Sequence, residues 1–570
     1  MYALTLLPLF VVPGPQTTAQ DHRPLMSMTC GDLADFVQHP KDEGLRRAFG
    51  MLDDRLAELP SDLGDDMPPP ARAALDPSAL PTWIRLMRAP KTVQFDVSAS
   101  ALANGDMPFR FGVAVHEDSP EAATQLEAEV RSLVQQMGAP MPPEMLVRDQ
   151  SSLVVGNGTL PQAMGGTRAA EMLGSGAPLL AEMRMDVGAY FDFLEGVMME
   201  TGAAPPEAAR IFDVVGRMGL DDCVMEVAST GDDRVSRSVA IMTNIGGKMK
   251  AAGLLPEEGL TAAHFAPIPA DAHWASVERF DMAAGFEALN TLVSELMQEQ
   301  MGGGDLSDMV ASTVGIDLRN GVFGALGDVC GMYASDTTGG GGMTSMVMYF
   351  SLRDSEALLQ STEQIQSMLN GFGQMMAQGY VNARTWTRGD GEYTTLTFPG
   401  LPVPLEPTIA MTESWLFIAA TPQAALGAVE HVASGENGLA SHRSIAPLLA
   451  DGSKNAVSFF DAAHYARKGY GATSVLLSGL GNAMRSRMDE TRDPGPILPP
   501  YPAFAEGILP TVGYGELRGD DYVNVSVGDA STVVQMAAMT GSLSELAPLF
   551  AAALAAESAP DIARTIRRNF

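Results

Sequence analysis

Two segments of the chain repeat one pattern of apolar and polar positions. Apolar runs at residues 153–156 and 416–419 are each followed by a threonine and then by Pro-Gln-Ala. A short apolar run predicts a buried strand. The threonine and proline predict a helix start, because the hydroxyl accepts a backbone N–H and the first helical residue needs no N–H of its own. Both segments therefore predict a strand, a turn and a helix.

A second pair of segments, beginning at Phe111 and Met348, has the same order. Each shows strand-like alternation, then Asp-Ser, then apolar residues at helical spacing. The predicted inner face of the first helix carries Leu126, Val130, Leu133, Val134 and Met137, and that of the second carries Leu358, Ile365, Leu369 and Phe372.

Further matches follow in the same order along the chain. Asp186 corresponds to Asp461, and the Gly-Asp-Asp triplet at Gly231 corresponds to the one at Gly519. The offset between partners grows steadily, which indicates insertions. One insertion is visible at residues 383–398, a predicted hairpin that turns at 389–391. These collinear matches predict an internal duplication.

The predicted fold class is α+β, with two homologous halves that each form a mostly antiparallel sheet backed by helices. A Pro-punctuated stretch at 254–269 marks the boundary between them. We predict a signal peptide at 1–19, a first α+β repeat at 20–262, a second at 263–532, and a C-terminal helical segment at 533–570.

The first residues favour export. Residues 3–12 are apolar, and a Pro/Gly break and small residues ending at Ala19 follow. This resembles a secretory signal and is too short to span a bilayer. No Lys or Arg precedes the run, so a buried N-terminal strand stays as the alternative. No later segment is long and apolar enough for an integral membrane span. The predicted location is the periplasm, the cell envelope or the extracellular space.

Charge narrows the range of partners. The chain of 570 residues carries 36 basic and 69 acidic side chains, which gives a formal net charge of −33. Such a chain repels the phosphates of nucleic acids and anionic membrane surfaces. We therefore expect neither as a partner.

Three cysteines, Cys30, Cys223 and Cys330, are too few for a disulfide framework. At most one bridge is possible among them.

The second half resembles a family of large secreted bacterial proteins known only as a domain of unknown function. The matching residues are Pro269-Ala270-Asp271, Gly315-Ile316-Asp317 and Asp354-Ser355-Glu356-Ala357, within roughly 268–471. The resemblance implies export and the α+β repeat. It implies no catalytic residue.

Candidate chemistry is sparse. Asp461 and His464 are three residues apart and would share a helix face, as metal ligands or an acid–base pair do. However, Asp186 repeats the carboxylate while Ala189 stands at the place of the imidazole. Helix capping by both aspartates is the simpler interpretation. The glycine run at 339–342 precedes a predicted strand, which favours a hairpin loop over a phosphate-binding loop.

Methionine is abundant, with 36 residues. Met343, Met346 and Met348 have the thioether spacing of copper(I) sites. The favoured alternative places Met346 and Met348 on one strand face, filling the core. A third reading uses methionines to line an adaptable apolar cavity.

We therefore predict a non-catalytic exported protein of the cell envelope, a scaffold or interaction module for an unknown protein. The alternative is a carrier of an apolar small molecule or lipid in a Met-rich cavity. No residue is assigned a catalytic, cofactor-binding or metal-binding role, and no cofactor is expected.

Overall fold

The computed structural model describes residues 24–31, 92–99, 109–117, 119–136, 146–156, 166–174, 179–200, 219–231, 234–296, 305–339, 342–376, 379–389, 391–399, 405–484 and 498–544. The chain divides into two compact units. The first unit comprises Met1–Asn244, Gly471–Gly507 and Asp529–Gln535. The second comprises Ile245–Tyr470, Ile508–Gly528 and Met536–Phe570.

The first unit holds eight described strands, all paired antiparallel. Their order across the sheet is β4-β5-β3-β2-β1-β6-β7-β8. The strands are β1 Pro24–Cys30, β2 Thr92–Ala99, β3 Phe109–His116, β4 Leu146–Asp149, β5 Ser152–Gly156, β6 Leu179–Asp186, β7 Val224–Gly231 and β8 Val235–Met242. The helices between them are α1 Pro120–Gln136, α2 Arg168–Leu173 and α3 Val187–Glu200.

In the first unit, α1 packs on the outer strands of the sheet. Leu126 and Val130, one turn apart on α1, are buried against Val115 of β3 and Leu153 of β5. This part of the predicted helix face is confirmed. The side chains of Leu133 and Val134, and Met137, lie outside the described residues.

The second unit holds ten described strands, again antiparallel throughout. Their order is β12-β13-β14-β15-β11-β10-β9-β16-β17-β18. The strands are β9 Ala272–Arg279, β10 Leu326–Ser335, β11 Met346–Leu352, β12 Asn382–Arg388, β13 Gly391–Thr397, β14 Thr408–Met411, β15 Trp415–Ala419, β16 Lys454–Phe460, β17 Thr511–Arg518 and β18 Asp521–Asp529.

Nine further α-helices are described. They are α4 Ile245–Ala251, α5 Met282–Leu296, α6 Leu306–Val314, α7 Ser355–Met376, α8 Pro422–Ser434, α9 Ala446–Leu449, α10 Ala462–Met484, α11 Tyr501–Ala505 and α12 Thr532–Ser544.

The main core of the second unit lies on one face of its sheet. Alternate residues of the central strands, among them Val277, Tyr333 and Tyr349, are fully buried there. Small residues of α8 pack onto them and allow close approach: Ala424, Ala425 and Ala428. The antiparallel strands of the two units, together with their helices, give a mixed α and β fold, as predicted.

The strands of the two units follow the same order of connections. Strands β9, β10 and β11 stand where β1, β2 and β3 stand in the first unit, and β14–β18 stand where β4–β8 stand. The hairpin of β12 and β13 is added beyond β14. It turns as predicted, since Arg388 pairs with Gly391 and Gly389 has a φ of 57°.

Two local predictions can be compared directly with the structure. Thr421 caps α8 by accepting the N–H of Ala424, and Pro422 is the first helical residue, so this helix start is confirmed. Its predicted counterpart at 159–163 lies outside the described residues. Strands β10 and β11, which flank the glycine run at 339–342, pair antiparallel as a hairpin requires, and residues 340–341 lie outside the described residues.

Phe372 corrects the predicted face of α7. Leu358 is buried as expected, whereas Phe372 is 52% exposed. The reason is the close approach of the chain at Gly373, where a Cβ would lie 2.1 Å from the carbonyl oxygen of Val381. This contact rotates the packed face at the end of α7 towards Asn370 and Gly373, and Asn370 bonds the backbone of Ala383.

The remaining predictions concern the two ends of the chain and membrane-spanning helices. The proposed signal peptide at 1–19 lies outside the described residues, as does 545–570 of the predicted C-terminal helical segment. Among the described helices, none combines the length and the apolar character that a membrane crossing requires.

Candidate functional site

Two histidines and an aspartate converge in the second unit. His273 is the second residue of β9, Asp336 directly follows β10, and His464 is in the first turn of α10. The start of β9 pairs with the end of β10 and with the end of β16, which leads into α10. The sheet therefore assembles the three side chains, and their ligand-type atoms all lie within 4.8 Å of one another. We call these three residues the His-Asp-His cluster.

The two imidazoles of the cluster are stacked. Their ring centroids are 4.1 Å apart and the planes differ by 9°. Tyr465, the next residue of α10, meets the ring of His273 edge-on, and its hydroxyl oxygen lies 2.9 Å from His273 Nδ1. Tyr465 thus holds the His273 ring in place and leaves Nε2 for another partner.

His273 is 1% exposed, and its Nε2 has no hydrogen-bond partner among the described residues. Burial, and after it the neighbouring His464 and Lys468, lower the pKa of His273 to about 4. The imidazole is therefore neutral near pH 7. A buried polar atom without a partner costs about 1–3 kcal/mol, so a ligand that engages Nε2 would be favoured.

Asp336 reaches the cluster from an anchored loop. Ser335 and Thr338 on either side are fully buried, and their hydroxyl oxygens are 2.9 Å apart. Thr337 donates both its backbone N–H and its hydroxyl to Asp271 Oδ2. The backbone of the loop is thereby fixed while the carboxylate of Asp336 stays exposed to solvent.

Lys468 adds a positive charge at the edge of the cluster. Its Nζ lies 5.8 Å from the centroid of the Tyr465 ring, one helical turn from His464. Two imidazoles and a carboxylate can hold a cation or relay a proton. The lysine opposes a cation there, and the carboxylate favours one.

The sequence suggested Asp461 and His464 as a possible pair of metal ligands or an acid–base pair, but the structure gives Asp461 a different role. Asp461 accepts the backbone N–H groups of Ala463 and His464 and so caps α10. Asp186 caps α3 in the same way through Ala189. The predicted capping role is confirmed for both.

Sequence reasoning missed His273 and Asp336. The three members of the cluster lie far apart in the chain, and no local spacing relates them. The nearest signal was the Pro-Ala-Asp motif at 269–271, because its aspartate fixes the loop that carries Asp336.

The structure corrects part of the prediction that Met346 and Met348 fill the core. Met346 and Met348 lie on one face of β11, but Met348 is 37% exposed, and the buried face carries Val347 and Tyr349 instead. The expectation that both methionines fill the core is therefore wrong for Met348. The side chain of Met343 lies outside the described residues.

No disulfide joins Cys30, Cys223 and Cys330, all of which are among the described residues. Burial raises the pKa of Cys330 to about 11, which keeps this thiol protonated near pH 7.

A second feature of the second unit is an apolar stripe at the end of α7. Met368, Phe372 and Met375 follow one another at spacings of four and three residues, and they are 37%, 52% and 80% exposed. At 100° per residue, they share one side of the helix. We call these three residues the α7 stripe.

Comparison with known proteins adds no assignment, since no family model, no curated protein and no solved structure matches the chain. The resemblance to a secreted family of unknown function stays a prediction.

Proposed function

We propose that the protein is an exported, non-catalytic interaction protein that docks a protein partner on the α7 stripe. The observation that carries this proposal is the exposure of three large apolar side chains along one side of a single helix. Soluble proteins seldom leave such residues together in water unless another surface covers them. Aromatic and methionine side chains are also enriched at the centres of protein interfaces.

The net negative charge of the chain favours a partner with a basic surface. The chain has a net charge of −33, so an acidic partner would be repelled over its whole approach. The complementary surface is an apolar face bordered by basic side chains. Such a partner gains attraction at long range and apolar contact at short range.

Asp461, the carboxylate considered as a catalytic candidate, serves as a helix cap, and this supports a non-catalytic function. Asp461 has its carboxylate engaged with the N–H groups that begin α10, which suits a cap and not a general base.

We also infer that the two units arose by duplication and that the protein is exported. The matching order of strands in the two units and the collinear sequence matches support duplication. The signal-like pattern at residues 3–19 and the resemblance to secreted proteins support export.

The test places a photo-crosslinking residue at Met375 in the full chain, expressed in a native-type bacterial envelope. We expect crosslinks to one basic protein in the exported fraction. Phe372→Asp in the same chain should abolish them, because a carboxylate at the centre of an apolar contact costs several kcal/mol. The matched control carries the crosslinker at Glu363, which is exposed on another side of α7.

Two results would overturn the proposal. One is an equal yield from Met375 and Glu363, and the other is a Met375 crosslink that persists in the Phe372→Asp variant. Retention of the full-length chain in the cytosol would contradict export.

A further inference from the structure

We propose that His273, Asp336 and His464 form a binding site for one divalent transition-metal ion of the zinc class. This site is separate from the α7 stripe and does not depend on the proposed partner. Three features of the cluster support it: the buried imidazole of His273, the placement of the other two ligands, and the chemistry of the donor atoms.

His273 has the form of a metal ligand that is already oriented. Metal-binding histidines commonly donate one ring N–H to a neighbouring oxygen, which fixes the tautomer and turns the other nitrogen to the ion. Here the Tyr465 hydroxyl oxygen lies 2.9 Å from His273 Nδ1. His273 Nε2 is buried without a hydrogen-bond partner among the described residues.

His464 and Asp336 are close enough to complete the site after a small movement. In a tetrahedral zinc site the ligand atoms are about 3.3 Å apart, as follows from bond lengths of about 2.0 Å. The present separations reach up to 4.8 Å. Parallel stacked rings do not direct their lone pairs at one point, so binding requires one ring to tilt. His464 is less buried than His273, whose ring Tyr465 holds, so we assign the tilt to His464.

The donor set selects the class of ion. Imidazole nitrogens suit Zn²⁺, Co²⁺, Ni²⁺ and Cu²⁺, whereas Ca²⁺ and Mg²⁺ prefer all-oxygen sites and copper(I) prefers thiolates and thioethers. Three protein ligands with an exposed carboxylate leave a coordination position for water. Such an open site, with Lys468 beside it, exchanges its ion more readily than a closed four-ligand site.

The experiment is calorimetric titration of the full chain with Zn²⁺ in the presence of a competing chelator of known affinity. We expect one ion per chain. Asp336→Asn and His464→Gln should each weaken binding at least tenfold, because each removes a ligand. Asp520→Asn is the matched control, an exposed loop aspartate of the same unit. Lys468→Met should tighten binding, because it removes a like charge. Circular dichroism of each variant checks that the fold is retained.

Several outcomes would overturn the proposal. One is the absence of binding by the unaltered chain up to about 100 µM Zn²⁺, a range in which any specific site of this kind would fill. A second is equal affinity of the Asp336→Asn and Asp520→Asn variants, which would place the ion elsewhere on the acidic surface. Displacement of Zn²⁺ by millimolar Ca²⁺ or Mg²⁺ would contradict the donor class.

Discussion

At the scale of single residues, a buried carboxylate of this protein is held by two positively charged side chains within the sheet. Glu516 of β17 illustrates this, since its carboxylate accepts hydrogen bonds from Lys454 of β16 and Arg518. Burial alone would raise the pKa of Glu516, but these hydrogen bonds and the two positive charges outweigh it and hold the pKa below its usual value.

A dependence of stability on pH follows from Glu516. Because its pKa is lower in the folded chain, the carboxylate stabilises the fold above the unfolded value of 4.5, and this contribution disappears as the pH falls through the folded value. We expect the urea midpoint to drop on acidification below about pH 5.

The variant Glu516→Gln separates this effect from the other carboxyls. It should lower stability at pH 7 by about 1.5–3 kcal/mol, because it removes the charged acceptor shared by Lys454 and Arg518 while Asp451 and Ser453 stay beside Lys454, and it should flatten the decline below pH 5. Urea unfolding at pH 7 and pH 4 measures both. Glu363→Gln, at an exposed position, should behave as the unaltered chain, and the same slope in all three proteins would refute the role of Glu516.

At the scale of elements, α10 and α12 pack through glycines. A Cβ on Gly541 of α12 would lie 2.0 Å from the carbonyl oxygen of Tyr465, and one on Gly469 of α10 would lie 1.9 Å from that of Ala537. Both distances are far inside van der Waals contact. The two helices therefore approach each other through their backbones, and glycine is required at each position.

Alanine substitutions test this packing. Gly541→Ala should destabilise the protein by about 1–3 kcal/mol, because the added methyl group pushes the helices apart. Gly471→Ala is the matched control, since nothing lies within 4 Å of its Cβ position. It should be neutral or stabilising by up to about 1 kcal/mol, as helix propensity predicts. Thermal unfolding compares the two, and equal effects would contradict the close approach.

Elements with local signals could be predicted from the sequence, and those set by tertiary packing could not. The cap at Thr421 and the turn at Gly389 follow from side chains acting on their own backbone. Phe372 was placed wrongly because the packed face of α7 changes where Gly373 meets Val381. The His-Asp-His cluster is assembled by strand pairing between distant segments, and only His464 carried a signal in the sequence.

At the scale of the whole molecule, net charge governs encounters with other macromolecules. The chain has a sequence pI of about 4.5 and an excess of 33 negative charges at pH 7. Self-repulsion keeps such a protein dispersed at neutral pH, and this repulsion vanishes near the isoelectric point.

We therefore expect light scattering to show a dispersed protein at pH 7 and association near pH 4.5, with no retardation of duplex DNA in a gel at pH 7 and low salt. A DNA complex that dissociates with added salt would contradict this prediction, because it would reveal a basic surface despite the net charge.

Both units are discontinuous in the chain, and this bears on how the protein is made. The first unit needs residues 471–507 and 529–535, and the second needs residues 508–528. A ribosome that has reached residue 470 has therefore finished neither. Each unit therefore completes its packing only after residues beyond 470 have been synthesised. For the same reason, a single cut at Asn244 would not release a folded first half.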